Sequence, residues 1–123
     1  MGNEKTITAQ AGPLTSTAAI AALAALAQES RLAVFRLLVQ TGPQGMAATK
    51  IAEALAIAPS SLSFHLKELA HANLVTASKA GRSIIYAAHY AGMNGLLAFL
   101  TENCCAGAPC CVNEPHLLKE TTT

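Results

Sequence analysis

The sequence predicts a mainly helical (α+β) domain: a winged helix-turn-helix with a two-stranded wing. Three observations predict it. Leu62, Leu66 and Leu69 recur at helical spacing in a segment that opens on Pro59, shortly after another apolar-faced segment. Two β-rich stretches then flank Lys79-Ala80-Gly81-Arg82. A final apolar segment, Met93, Leu96, Leu97 and Leu100, returns to helical spacing.

Size and composition set the frame. A chain of 123 residues supports one domain with one core. Hydrophobic residues make up 52% of it, but many are alanine, which buries little area per residue. An isolated monomer is then marginal, and dimerisation is expected to supply the missing burial. The net charge of +1 does not suggest a strong nucleic-acid binder. Its distribution does. Between Ser30 and Tyr90 lie Arg31, Arg36, Lys50, Lys67, Lys79 and Arg82, opposed only by Glu53 and Glu68. A locally basic centre can hold phosphates.

The elements follow in order. Residues 1–14 read as a flexible tail, with Gly12-Pro13 near its end. Thr15 or Ser16 caps a first helix reaching about Ala27, with Ile20, Leu23 and Ala27 on one face. Gln28–Ser30 breaks it. A second helix, Arg31–Gln40, has Leu32, Phe35, Leu38 and Val39 as its inner side, and Thr41-Gly42-Pro43 ends it. Ala48–Ala56 forms the first helix of the helix-turn-helix and Pro59–Asn73 the second. Leu74–Ser78 and Ser83–Ala88 make the wing, and a last helix runs from about Ala91 to Asn103. The domain therefore spans 15–103, and 104–123 is a cysteine-bearing tail.

Setting aside the leucine stripe of Pro59–Asn73 leaves Ser60, Ser61, Ser63, Phe64, His65, Lys67 and Glu68 outward. Hydroxyls near a helix N-terminus suit phosphate and base-edge contacts. Lys67 suits a phosphate, and His65 can donate to a base or a phosphate. Lys79 and Arg82 at the wing tip suit the backbone or minor groove. The serines, Phe64 and His65 are the candidates for sequence readout.

Ala27–Ser30, Arg31–Leu38, Ile51–Leu55, the run Ser61-Leu62-Ser63-Phe64-His65-Leu66-Lys67, Leu74-Val75 and Gly81-Arg82 through Tyr86 together resemble the ArsR/SmtB family of winged-helix repressors. The resemblance covers roughly Ala18–Cys111. It implies a homodimer joined by the first and last helices. It further implies that Pro59–Asn73 reads double-stranded operator DNA at an inverted repeat, and that inducer binding releases the DNA.

The four cysteines of the chain, Cys104, Cys105, Cys110 and Cys111, crowd into eight residues where the last helix ends. Thiolates select soft or thiophilic ions. As(III) and Sb(III) favour three thiolates in a pyramid, whereas Zn and Cd favour four ligands in a tetrahedron. The family's arsenic site on the helix before the recognition helix is absent, because Met46–Ala56 holds no cysteine. His89 and Glu102 alone do not supply the family's zinc site on the last helix. Thr101-Glu102-Asn103-Cys104-Cys105 followed by Cys111 resembles the members that carry thiols just after that helix. The resemblance thus implies As(III) or Sb(III) as inducer on Cys104, Cys105 and Cys111, with Cys110 as substitute. A Zn/Cd sensor and a thiol-redox sensor, each on the same fold, remain open.

No organic cofactor and no enzymatic activity are expected. There is no Gly-rich phosphate loop, and the cysteines follow the carbonyl-lined end of a helix, which does not activate a thiolate. Ala18–Ala27 loosely resembles a signal-peptide core, but the preceding residues are polar and the run has helical spacing. No stretch approaches the ~18 apolar residues of a membrane span. The expectation is a cytoplasmic protein with reduced thiols and no membrane partner.

Overall fold

The computed structural model describes residues 14–107. The expected tail, apart from Leu14, and residues Cys110 and Cys111 lie outside that range.

Helix α1 is Ser16–Leu26, and the Thr15 hydroxyl accepts from the Ala18 N–H at 3.1 Å. The face shared by Ile20, Leu23 and Ala27 is not its buried one. Ala19, Ala22 and Ala25 are buried, while Ile20 and Leu23 are 66% and 42% exposed. Ala27 lies past the helix end as its C-cap. Alanines let α1 approach its neighbours closely, which turns the larger side chains outward.

Helix α2 is Glu29–Thr41 and begins two residues earlier than expected. Gln28 lies in the expected break between the helices and also caps α2: its Oε1 accepts from the Arg31 N–H at 2.9 Å. Val34, Phe35 and Leu38 are buried, whereas Leu32 faces outward.

A short strand β1, Met46–Ala47, was not legible in the sequence. It pairs antiparallel with the later strand Ser83–Ala88, matching Met46 with Tyr86. Gly45 makes the approach possible: its φ is 72°, and a Cβ there would lie 2.5 Å from the Tyr86 carbonyl oxygen.

Helix α3, Ala48–Leu55, ends at left-handed Ala56, and α4 runs Pro59–His71. Leu62, Leu66 and Leu69 are each at most 1% exposed, as their spacing requires. Helix α4 stops before the expected Asn73. That residue adopts a φ of 67°, and the Leu74 N–H returns to the Leu69 carbonyl at 3.0 Å. Left-handed Ala56 thus turns the chain between the two helices of the helix-turn-helix, and Asn73 turns it from α4 into the wing.

Strands β2, Val75–Ala80, and β3, Ser83–Ala88, form the wing. Strand β2 continues past the expected Ser78 because Lys79 pairs with Ile84 and Ala80 with Ser83. Only Gly81-Arg82 turn the hairpin, with Gly81 at φ 65° as a type II′ turn requires. The sheet order is β1-β3-β2, so the wing rests on the helical body through a third strand.

Helix α5 is Tyr90–Leu100, shorter than expected, and a single 3₁₀ turn follows at Cys104–Gly107. It buries Leu96 but leaves Leu97 and Leu100 52% and 53% exposed. The core is built mainly from Val34, Leu38, Ile51, Leu62, Leu66, Leu69 and Leu74, so α4 is held from behind by α2 and α3.

Candidate nucleic-acid interface and thiol site

Burial of its leucine stripe orients α4. Ser60, Ser61, Ser63 and Lys67 are exposed, Phe64 is 56% exposed, and His65 is half-buried. The N-cap Ala58 supplies no side-chain hydrogen bond. The first-turn N–H groups of Ser60 and Ser61 therefore keep their capacity to donate, beside their own hydroxyls. Phe64 stands edge-on to His65, with ring centroids 5.9 Å apart. An exposed aromatic among hydroxyls suits apolar contact with a thymine methyl.

Lys79 and Arg82 are exposed on the wing. Arg82 and Ser63 line one cleft of about 240 Å³, with Thr49 of α3 and Ser83 of β3. The fold therefore brings a reading-helix hydroxyl and a wing-tip cation to the same groove. Lys79, on the neighbouring strand, does not line it. Thr49 and Ser83 are polar groups that the sequence reading missed. Their signal was weak: one sits in the first turn of the preceding helix, the other starts a strand.

Arg31 was also missed as a site residue. From α2 its Nε donates to the Ala25 carbonyl at 2.8 Å, and its guanidinium reaches Nδ1 of His65 at 3.4 Å. No sequence pattern links residues this far apart.

The thiols begin beyond α5. Cys104 donates its N–H to the Thr101 carbonyl at 2.9 Å and its S–H to the Cys105 sulfur at 3.6 Å. Asn103, Cys105 and Ala106 have φ of 59°, 56° and 57°, which curls the chain sharply. Two sulfurs sharing a tetrahedral ion at ~2.3 Å stand roughly 3.8 Å apart, so this pair has a chelating separation once Cys105 is reduced. Cys105 is disulfide-bonded and the Cys104 thiol is free. The other expected ligands, Cys110 and Cys111, lie outside the described residues. Among the described residues no three His, Cys, Asp or Glu side chains gather around a common point. His89 turns its Nδ1 to the Asn73 carbonyl at 3.1 Å.

A family model described as a helix-turn-helix domain matches residues 26–76, from the end of α1 into β2. No curated protein matches the chain. Solved structures match over most of it. An ArsR-like transcriptional regulator from Rhodococcus sp. RHA1 is 25% identical, with a TM-score of 0.63 over 86% of this chain and 92% of that one. A possible transcriptional regulator for arsenical resistance is 26% identical, with a TM-score of 0.57 over 82% and 95%.

The chain is thus similar in fold and sequence to ArsR-type transcriptional regulators.

A third match is the homodimeric winged helix-turn-helix DNA-binding domain of Mb0332 from Mycobacterium bovis, a possible ArsR-family regulator. It is 24% identical, with a TM-score of 0.55 over 87% of each chain. In this chain the helix-turn-helix and its wing comprise α3, α4, β2 and β3. Of the exposed large aliphatics, Ile20, Leu23, Leu97 and Leu100 lie on α1 and α5, which pack against each other, while Leu32 lies on α2 and Ile84 on the wing. No single helix among the described residues is long and apolar enough to cross a membrane.

Proposed function

We propose that the protein is an arsenite- or antimonite-responsive transcriptional repressor. As a homodimer it binds an inverted-repeat operator and releases it when the metalloid binds the C-terminal thiolates. The observation that carries this reading is the place of the thiols. Cys104 and Cys105 sit 3.6 Å apart, immediately beyond a helix whose Leu97 and Leu100 are exposed. An apolar face of that kind is covered by a second copy through its own α1 and α5. A ligand closing on the helix end then acts at the subunit interface.

In the reduced protein, binding exchanges As–O bonds of arsenous acid for As–S bonds, and each thiol proton leaves with a hydroxyl as water. Cys104, Cys105 and Cys111 supply the sulfurs, with Cys110 as substitute. Pulling the chain beyond α5 into one chelate alters the end of the dimer helix. That shifts the two α4 helices off their half-site spacing. A solved match described as a possible regulator for arsenical resistance supports this choice of inducer.

A second reading has its own observation. Cys105 is disulfide-bonded, which favours a thiol-redox sensor on the same fold. A Zn/Cd sensor is the further alternative, and it needs a fourth ligand.

Fluorescence anisotropy of a labelled inverted repeat from upstream of the protein's own gene separates these readings. Reduced protein is titrated with arsenite, and with Zn and Cd in parallel. Stoichiometric release by arsenite, lost in Cys104→Ser and Cys105→Ser, supports the proposal. Release by Zn or Cd alone, or only by an oxidant, overturns it in favour of the corresponding alternative.

A further inference from the structure

Among the described residues of α4, His65 alone has its side chain hydrogen-bonded to another helix. The partner is Arg31, and the chemistry of that pair is one-sided. A guanidinium carries only donors, so Nδ1 of His65 must be the acceptor. The neutral ring then keeps its proton on Nε2. Arg31 is itself fixed, because its Nε donates to the Ala25 carbonyl at 2.8 Å, in the last turn of α1. The guanidinium lines a cleft of about 310 Å³ between α1, α2 and α4, where the other charged or titratable groups are Glu68 and His71.

We propose that Arg31 is a positioning residue for DNA reading: it locks His65 in the Nε2–H tautomer, which donates to an acceptor on a guanine edge in the major groove. This rests on the operator-binding reading above. Guanine presents N7 and O6 side by side as acceptors, whereas cytosine presents an amino donor that this tautomer rejects. The second nitrogen of the ring is occupied by Arg31, so the imidazole cannot turn over to offer an acceptor instead. Lysine cannot replace Arg31, because one ammonium cannot hold the Ala25 carbonyl and the His65 ring in a fixed fork. The same guanidinium ties the reading residue to the end of α1.

Two readouts on the full-length protein test this. Long-range proton–nitrogen NMR spectra of the DNA-free protein report the His65 tautomer. Wild type should show the proton on Nε2 alone, and Arg31→Lys a tautomer mixture. A proton on Nδ1 in wild type overturns the proposal, as does a variant spectrum that does not change. This readout does not depend on DNA, so it separates failure of the tautomer lock from failure of the operator reading.

The second readout is binding to operators carrying 7-deazaguanine or cytosine at each guanine in turn. Wild type should lose about two- to tenfold at one guanine per half-site, the scale of a single hydrogen bond. Arg31→Lys should lose that discrimination while binding scrambled DNA as wild type does. His65→Ala should lose it equally, and the double variant no more than His65→Ala alone. Undiminished selectivity in Arg31→Lys, or additive losses in the double variant, overturns the assignment.

Discussion

The second helix of the helix-turn-helix and the helix that ends the domain are close in length and differ in what holds them. Helix α4 buries three leucines, each at most 1% exposed, among side chains from α2 and α3. Helix α5 buries Leu96 and leaves Leu97 and Leu100 about half exposed. Helix α1 resembles α5: its inner face is alanine and its larger aliphatics point out. Helix α4 is thus completed within one subunit, whereas the outer pair of helices leaves its larger aliphatics uncovered by its own chain. A ligand that acts at the end of α5 therefore acts where the structure is least determined by its own chain.

Substitutions can break that contrast. Leu66→Ala removes a side chain with no room to relax, and should cost about 2–5 kcal/mol in a urea or thermal melt. The loss should be similar at all protein concentrations. Leu97→Asp should do the reverse. It leaves the subunit core intact but weakens dimerisation at least about tenfold by sedimentation equilibrium, since burying a leucine is worth ~1.5–3 kcal/mol. It should also make the melting temperature concentration-dependent over an accessible range. Equal effects of the two variants on subunit stability and on dimerisation would erase the distinction.

The contrast also explains what was legible. The α4 stripe, Pro59 and the Gly81 turn are local signals that coincide with the final packing, so their residues stand where spacing placed them. The burial of Ala19, Ala22 and Ala25 in α1 was not legible because Ile20 and Leu23 outrank alanine in hydrophobicity, and only close approach to α2 and α4 makes alanine the better core residue. Strand β1 is two residues long and depends on a partner some forty residues away, which no local pattern reports. The reach of Arg31 to His65 is of the same long-range kind. The outward place of Ser60, Ser61, Ser63, Phe64 and Lys67 was legible because an outward face is what remains once the apolar stripe is assigned. The thiol set was legible as composition, yet only Cys104 and Cys105 fall within the described residues.

A smaller effect sharpens the picture at α1. Thr15→Ala removes the cap on the Ala18 N–H and should cost about 1 kcal/mol. Because α1 belongs to the outer pair, the loss should appear in dimer stability by thermal melts at several concentrations. DNA contacts per folded dimer, read from the salt dependence of binding, should stay the same.

The central claim is that thiol ligation and operator binding oppose one another through the dimer, and linkage makes that measurable from the ligand side. Arsenite affinity is determined by titration of the reduced protein, free and saturated with operator. Coupling of the usual allosteric size predicts arsenite affinity about 5- to 150-fold weaker on the operator complex. Equal affinity in the two states would contradict the account, whatever arsenite does to the DNA complex at high concentration.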